Sequence, residues 1–386
     1  KEGQEFTLTT KEIVGNEKIV SVTYKDLYKD VKPGNSILID DGLIGLEVKK
    51  IKGHDIVCTV INGGVLSNKK GVNLPGVEVN MPFISPKDHD DILFGIKEGY
   101  DFIAASFTRT AADVKEIRDI LEKNGGHDIK IIAKIENQQG VDNIDSIIEA
   151  ADGIMIARGD MGVEIPLEDV PVIQKDIIAK VYSAGKQVIT ATQMLDSMIR
   201  NPRPTRAEVT DVANAIYDGT DAIMLSGESA SGLYPQEAVL MMSKIAHKIE
   251  SNLDYQSLQR QAIRTAPDDT SEAICMSVAE IAYKFNVAAI IAFTESGFTA
   301  RKMARYRTKS RIIAATPSLK TVRALALNWG VKAVPCKQLN SRISMIDYAS
   351  IIARENGVKP GQKIIVTGGT PGVKGTTSYL ELIEVK

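Results

Sequence analysis

The sequence predicts an α/β protein of three units: a small β unit, a central unit of parallel strands covered by helices, and an open α/β unit. Residues 1–73 contain short β-branched runs broken by turns and show no helical periodicity. From 74 to about 246, short apolar runs alternate with amphipathic helical patterns, and 247–386 has a similar rhythm of its own. A chain of 386 residues is long enough for roughly two or three such domains.

The composition excludes several classes of protein. Lys plus Arg number 47 and Asp plus Glu number 49, so the net charge of -2 argues against a dedicated nucleic-acid binder. Apolar runs such as 287–293 are far shorter than the roughly 20 residues that cross a bilayer, so we expect no membrane partner. Cys58, Cys275 and Cys336 are too scattered for disulfide or zinc spacing, which predicts buried thiols and a cytoplasmic location.

The first unit is predicted to be a small antiparallel barrel or sandwich. Turn pairs at Pro33-Gly34, Asp41-Gly42 and Gly63-Gly64 separate its strands. The strand candidates are 19–22, 36–39, 45–48 and 56–60.

The central unit carries a repeated signal for a functional site. Polar residues follow the carboxyl ends of five successive predicted strands, which is where a parallel β/α barrel places its active site. The strand candidates are 102–105, 131–135, 153–156, 187–190 and 222–225. The residues that follow are Ser106, Glu136-Asn137, 158–160, Thr192-Gln193 and 226–228. Any one of them could be a helix cap, as the capping-box pattern at 205–208 is, but five in succession favour a site.

The third unit is predicted to be an open, mostly parallel sheet. A helix is expected at 271–285 and strands at 287–293, 311–315, 333–334 and 363–367. Residues 294–300 lie between a strand and a helix, where backbone donors can hold a phosphate. The glycine-rich stretch 368–375 either closes over such a ligand or is a plain surface turn.

Three residues of the central unit have the spacing of a metal-assisted site. Lys134 and Glu136 are two apart at a strand end, so their side chains point the same way, and Asp160 follows the next strand. Two carboxylates beside a lysine suit a hard divalent cation such as Mg²⁺, with the lysine supplying positive charge to a transferring group. The alternative is a buried salt bridge between Lys134 and an acid, and spacing alone leaves it open.

A glycine-flanked turn is expected at 159–162. Glycine allows close backbone approach, and exposed N–H groups in such a turn can hold a carboxylate or a phosphate. Thr192 and Ser226 add hydroxyl groups from the next two strands.

Long motifs along the whole chain resemble pyruvate kinase. The motifs are 69–76 (KKGVNLPG), 132–137 (IAKIEN), 157–164 (ARGDMGVE), 191–195 (ATQML) and 224–228 (MLSGE). The resemblance implies a (β/α)8 TIM-type barrel with an inserted small β-barrel domain and a C-terminal α/β domain. It also implies the glycolytic transfer of a phosphoryl group from phosphoenolpyruvate to ADP, giving pyruvate and ATP with Mg²⁺ (or Mn²⁺) and K⁺.

The resemblance implies roles for residues at the strand ends. Glu136 and Asp160 would hold the divalent cation, and Lys134 would stabilise the transferring phosphoryl group. The N–H groups of Gly159 and Asp160, with the Thr192 hydroxyl, would bind the substrate carboxylate.

Further roles follow from the same resemblance. Ser226 would belong to the relay that protonates the enolate, and Lys70, with Asp41 on the same mobile β domain, would close over the nucleotide. A phosphorylated activator would bind at Thr294, Glu295, Ser296, Gly297 and Thr299. Glu295 and Phe298 differ from the residues usual in sugar-bisphosphate-activated members, which leaves the identity of the activator open. A homotetramer is typical of the family.

The resemblance also implies that the sequence holds only the last five of eight barrel strands. The first three βα units of the family carry a substrate-contacting arginine, the K⁺ ligands and much of the adenine pocket, and none of these motifs is in this sequence. The sequence is then an excerpt of a longer chain, a cleaved chain or a deliberate fragment. A chain that truly lacked these units is expected to be inactive, because five strands do not close a barrel.

Two other functions remain possible from the sequence. A Mg²⁺-dependent barrel lyase or aldolase acting on a pyruvate enolate would use similar carboxylates, but it would need neither the lid nor the third unit. A catalytically inactive fragment that binds an effector or another subunit would retain phosphate-ligand binding after Lys134→Met.

Overall fold

The computed structural model of the protein describes residues 1–370, 373 and 375–386. Positions 371, 372 and 374 of the predicted glycine-rich loop lie outside these described residues. No helix in the described part of the chain is long and apolar enough to cross a membrane.

The strands and helices follow one another along the whole described chain. The strands are Glu5–Thr9 (β1), Ile19–Ser21 (β2), Ser36–Ile39 (β3), Ile44–Lys52 (β4), Asp55–Asn62 (β5), Val72–Asn73 (β6), Phe102–Ala105 (β7), Lys130–Ile135 (β8), Gly153–Ala157 (β9), Gln187–Ala191 (β10), Ala222–Met224 (β11), Ala289–Phe293 (β12), Arg311–Thr316 (β13), Val331–Pro335 (β14), Lys363–Gly368 (β15) and Tyr379–Glu384 (β16). The α-helices are Leu27–Asp30 (α1), Pro86–Lys97 (α2), Ala111–Lys123 (α3), Gln138–Asp142 (α4), Ile144–Ala150 (α5), Arg158–Glu164 (α6), Val170–Ser183 (α7), Arg206–Asp218 (α8), Gly227–Ala230 (α9), Pro235–Glu250 (α10), Tyr255–Arg264 (α11), Thr270–Phe285 (α12), Phe298–Arg305 (α13), Leu319–Ala324 (α14) and Arg342–Glu355 (α15). The 3₁₀ helices are Asp196–Ile199 and Leu325–Leu327.

The first unit is one sheet in the order β2-β1-β5-β4-β3-β6, rather than a closed antiparallel barrel or a two-layer sandwich. β2 runs parallel to β1, while the other neighbours are antiparallel. The segment between β1 and β2 returns along β1 before β2 begins, so that Ile19 lies opposite Thr7 and Ser21 opposite Thr9. Ser21 Oγ donates to Lys11 O at 2.8 Å and accepts from Ile13 N at 2.8 Å. The helix α1 was not predicted, because it is a single turn and too short to show periodicity.

The central unit is the predicted parallel sheet, in the order β11-β10-β9-β8-β7. Both faces of the middle strands are covered, and β9 and β10 are continuous apolar runs buried along their whole length. One face packs against helices through residues such as Ile117, Ile147 and Ile177. Ile132 and Met155 lie in the cluster on the opposite face. This parallel register brings the carboxyl ends of neighbouring strands side by side.

The third unit is an open sheet in the order β14-β13-β12-β15-β16. It is parallel except for β16, which confirms the predicted mostly parallel architecture. Cys58 and Cys275 are buried thiols, as expected, but Cys336 is only half-buried. The expectation for Cys336 is wrong because this residue follows β14 and lines a small cavity at the end of the sheet.

The third unit packs against the amino ends of the central strands. Arg307 Nη1 lies 2.8 Å from the carboxylate of Asp221, which precedes β11. Arg323 Nε lies 2.7 Å from the carboxylate of Asp101, which precedes β7. The residues that follow β7 and β8, including Ser106, Phe107 and Asn137, instead line a cleft shared with the first unit.

Candidate active site at the carboxyl ends of the central strands

Lys134 and Glu136 lie in direct contact at the end of β8. Lys134 Nζ is 2.7 Å from Glu136 Oε1, and it donates a hydrogen bond of 3.0 Å to the hydroxyl of Ser106, which follows β7. The side chain of Glu136 is only 1% exposed and that of Lys134 is 22% exposed. The salt bridge considered as the alternative to a metal site is therefore present in this structure.

Glu136 is nevertheless incompletely satisfied by the protein. Its Oε2 accepts a 2.5 Å hydrogen bond from the backbone N–H of Phe107, whose positive φ of 51° turns that N–H toward the carboxylate. Its Oε1 is buried without a hydrogen bond of proper geometry, although the Lys134 ammonium is close. Burial raises the pKa of the Glu136 carboxyl; contact with Lys134 and the Phe107 N–H opposes this, and the charge of Asp160 adds to it. Additional positive charge at this carboxylate would therefore be stabilising.

Asp160 is carried by a helix and not by the predicted glycine-flanked turn. The chain passes from β9 directly into α6, and Asp160 lies in the first turn of that helix. Two glycines disfavour a helix, but the side chain of Met161 is fully buried in the central core and anchors the turn. The tertiary contact thus overrides the local propensity on which the prediction was based.

Glu136 and Asp160 together have the donor chemistry of a hard-cation site. Their charges are close enough that Asp160 influences the pKa of Glu136. Within the described residues, no group of three or more His, Cys, Asp or Glu side chains could hold a metal ion. Mg²⁺ accepts few protein ligands and completes its shell with water and substrate oxygens, so a pair of carboxylates is chemically compatible with it.

Gly159 and Thr192 are also brought together. The backbone N–H of Gly159 donates to Thr192 Oγ1 at 2.6 Å, and the Thr192 hydroxyl donates to Ala191 O at 2.6 Å. Thr192 and Gln193 have positive φ angles of 70° and 54°, so the backbone leaves the extended conformation directly after β10. A side chain at Gly159 would meet Thr192 Oγ1 at 3.3 Å, which explains why a residue without Cβ fits here.

Arg158 links the segments after β9 and β10, a role that its sequence pattern did not indicate. Its guanidinium binds the Asp211 carboxylate through two contacts of 2.6 Å and donates to Thr192 O at 2.9 Å. It therefore holds the strained backbone at Thr192. Asp211 is 53 residues away on α8, so no local pattern could have identified it as the partner.

Ser226 follows β11 and is fixed through its backbone. Its N–H donates to Glu228 Oε2 at 2.8 Å, while Leu195 N donates to Glu228 Oε1 at 3.0 Å. Glu228 is only 1% exposed, so a buried carboxylate joins the loops after β10 and β11. Its position two residues after Ser226 in the MLSGE motif was the available signal for this role.

A cleft of about 2100 Å³ lies between the first unit and the side of the central unit formed by β7 and α2. Ser106, Asn137 and Glu164 line it on the central side, and Lys70 lines it on the first-unit side. Lys134, Glu136 and Asp160 do not themselves line the cleft, so they lie beside this space rather than within it.

The two predicted residues of the first unit are not equivalent. Lys70 Nζ forms an ion pair of 2.9 Å with Asp40, not with Asp41. Asp41 is exposed in the neighbouring turn, where both aspartates have positive φ angles of 57° and 54°.

The predicted effector residues lie at one end of the third sheet, before and within α13. Thr294, Glu295, Ser296 and Thr299 line a cavity of about 50 Å³, and Gly297 begins the helix with a φ of 81°. Thr299 Oγ1 is already hydrogen-bonded to Thr377 Oγ1 at 2.8 Å. The Glu295 carboxylate accepts from Gln338 at 3.3 Å and brings negative charge to this cavity.

Comparisons with known proteins give a consistent result over the whole chain. Residues 1–239 match the family model described as "Pyruvate kinase, barrel domain", and 272–383 match "Pyruvate kinase, alpha/beta domain". The chain is 52% identical to a pyruvate kinase of Clostridium perfringens over 390 residues, which cover all of this chain and 82% of that protein. It is 54% identical to one of Staphylococcus haemolyticus and 52% identical to one of Geobacillus stearothermophilus; each match covers 99% of this chain and 66% of the relative.

Proposed function

The chain belongs to the pyruvate kinase family and is a phosphotransferase, and from this premise we propose that Lys134, Glu136 and Asp160 carry its chemistry. The reaction is the transfer of a phosphoryl group from phosphoenolpyruvate to ADP, which gives pyruvate and ATP. The observation that carries the assignment is the contact of 2.7 Å between the Lys134 ammonium and the buried, incompletely satisfied Glu136 carboxylate.

Glu136 and Asp160 would hold Mg²⁺ or Mn²⁺, whose chemistry is to neutralise charge on the phosphoryl and carboxylate oxygens. The Lys134 ammonium would then turn from Glu136 toward the transferring phosphoryl group. Transfer of this kind depends on positioning and charge neutralisation rather than on covalent catalysis by the protein. The family generally uses K⁺ as well, and no K⁺ ligand is assigned among the residues of this chain.

The substrate carboxylate would bind at the N–H groups of Gly159 and Asp160 and at the Thr192 hydroxyl. The short bond between Gly159 N and Thr192 Oγ1 supports this role, because a carboxylate oxygen could accept from both groups once that bond opens. Ser226 would belong to the hydroxyl and water relay that delivers a proton to the enolate carbon after phosphoryl transfer. Glu228 would keep the Ser226 loop in place.

Lys70 would bind the nucleotide phosphates from the first-unit side of the cleft. Its present partner is the Asp40 carboxylate, so the phosphates would replace one set of anionic oxygens by another. Asp41, exposed on the same turn, is proposed to contact the nucleotide as well.

Three further features are proposed on the basis of the family. The five parallel strands would be an arc of a (β/α)8 barrel, because the edge strands β7 and β11 each pair on one side only. A phosphorylated activator would bind at the cavity lined by Thr294, Glu295, Ser296 and Thr299, with Gly297 at the helix start. The enzyme would act in the cytoplasm as a homotetramer.

The proposal is tested by replacing Glu136 with alanine. Divalent-cation-dependent pyruvate formation from phosphoenolpyruvate and ADP should fall at least about 10³-fold, since a carboxylate ligand beside the reacting group is lost. Glu122→Ala on the exposed face of α3 is the matched control and should retain wild-type turnover. Near-wild-type activity of Glu136→Ala would sink the assignment.

A further inference from the structure

Glu164 connects the helix that carries Asp160 to the first unit. It is the last residue of α6, and Asp160 lies in the first turn of the same helix. Glu164 Oε1 accepts hydrogen bonds from Asn73 Nδ2 at 2.9 Å and from the backbone N–H of Leu74 at 3.3 Å. These donors are about 90 residues away in sequence, at the point where the chain leaves the first sheet.

Asn73 is structurally continuous with Lys70. It belongs to β6, which pairs with β3 through Leu38 opposite Asn73. One residue before β6, Gly71 O accepts from Asp40 N at 3.1 Å, and the Asp40 carboxylate lies 2.9 Å from the Lys70 ammonium. A displacement of Asn73 would therefore displace Lys70, three residues earlier, because these contacts hold the segment between them.

The charge environment of Glu164 is unusual for a contact that only stabilises the fold. Both donors to its carboxylate are neutral, and among the described residues no Lys, Arg or His side chain lies within ion-pair distance of it. Burial raises the pKa of Glu164, although the bonds from Asn73 and Leu74 oppose the shift. A partly buried carboxylate without a cation contributes little to stability, so its placement on the wall of the cleft calls for another explanation.

We propose that Glu164 is a positioning residue that fixes the Asn73–Leu74 hinge against α6 and thereby sets where Lys70 stands above the site. This inference rests on the proposed function, in which Lys70 binds the phosphates of ADP. One short helix would then carry the Asp160 ligand at its start and the anchor of the nucleotide-binding strand at its end.

Steady-state kinetics of the complete enzyme provide the test. Glu164→Ala should raise KM for ADP by about tenfold, the equivalent of about 1.4 kcal/mol, and should change KM for phosphoenolpyruvate less than about twofold. Glu164→Gln keeps an acceptor oxygen for Asn73 and Leu74, so it should stay within about threefold of wild type. Glu168→Ala, on an exposed residue just beyond α6, is the matched control and should behave as wild type. An equal rise of both KM values in Glu164→Ala would overturn the inference.

A double variant shows whether Glu164 acts through Lys70. If it does, Glu164→Ala should have no further effect on KM for ADP in a Lys70→Ala background. Additive effects of the two changes would contradict the mechanism. Failure of the proposed function is recognised separately, because the wild-type chain would then not form pyruvate from phosphoenolpyruvate and ADP. In that case, titration with ADP would compare the Kd for ADP of the wild type with that of Glu164→Ala. An unchanged Kd would again overturn the inference.

Discussion

At the scale of single residues, two carboxylates at opposite ends of the central strands show how local hydrogen-bond donors determine the pKa of a buried acid. Glu136 lies at the carboxyl end of β8. Its Oε1 has no hydrogen bond of proper geometry from the Lys134 ammonium, and burial raises the pKa of the Glu136 carboxyl. Asp152 precedes β9, and its Oδ2 accepts from Ile131 N at 2.9 Å and from Arg118 at 2.5 Å. The fold thus satisfies the Asp152 carboxylate with hydrogen bonds, whereas Glu136 Oε1 has none of proper geometry.

The free energy of unfolding should depend on pH because of the hydrogen bonds and the ion pair that Asp152 forms. Burial alone would raise the pKa of Asp152, but the Ile131 N–H and Arg118 outweigh it and lower the pKa below the usual 3.8. The stabilisation is therefore complete above pH 3.8 and is lost as the pH falls through the lower value of the folded state. Asp152→Asn should lower the free energy of unfolding by about 2 kcal/mol at pH 7, with a smaller difference in acid, in urea titrations. Asp119→Asn on an exposed position is the control. A difference that does not depend on pH would contradict this account.

At the scale of elements, sequence patterns predicted the central strands and a helix start, whereas contacts between residues distant in sequence could not be predicted. The five central strands and the start of α8 at Thr205 are where their patterns placed them, because strand burial and capping are local properties. Lys134 and Glu136 meet as their two-residue spacing required. The pairing of Arg158 with Asp211 depends instead on how α8 packs, and the helix at Asp160 depends on burial of a neighbour. Neither is encoded in a short window of sequence.

The capping box of α8 does more than begin a helix. Glu208 accepts from Thr205 N at 2.6 Å, as predicted, and also from the backbone and hydroxyl of Ser197 at 2.6 Å each, in the segment after β10. Thr205→Ala removes only the cap and should cost about 1 kcal/mol. Glu208→Ala also releases Ser197 and should cost about 2–3 kcal/mol, measured as the shift in the urea midpoint. Equal costs for the two variants would show that the contact with Ser197 contributes nothing.

At the scale of the whole molecule, the other two units contact opposite ends of the central strands. The first unit contacts the side of their carboxyl ends through Glu164, where the chemistry is proposed, and the third unit contacts their amino ends through the buried Arg307–Asp221 ion pair. Arg307 is the centre of the second contact and is only 2% exposed. It binds Asp221 at 2.8 Å and Gly219 O at 2.8 Å, and its guanidinium lies 4.9 Å from the ring centre of Trp329.

Replacement of Arg307 should uncouple the third unit from the central sheet. Arg307→Met leaves the buried Asp221 without a cation, which should cost about 3–5 kcal/mol. Trp329 is the single tryptophan and lies at this contact, so its fluorescence reports local separation while far-UV circular dichroism reports the helices of all units. In urea, the fluorescence transition of Arg307→Met should precede the circular dichroism transition, whereas the two should coincide in wild type and in the exposed control Arg311→Met. Adding Asp221→Asn should restore part of the loss, because the unpaired charge is removed. Coincident transitions in Arg307→Met would mean that the two units unfold together without this ion pair, and that apolar packing alone couples them.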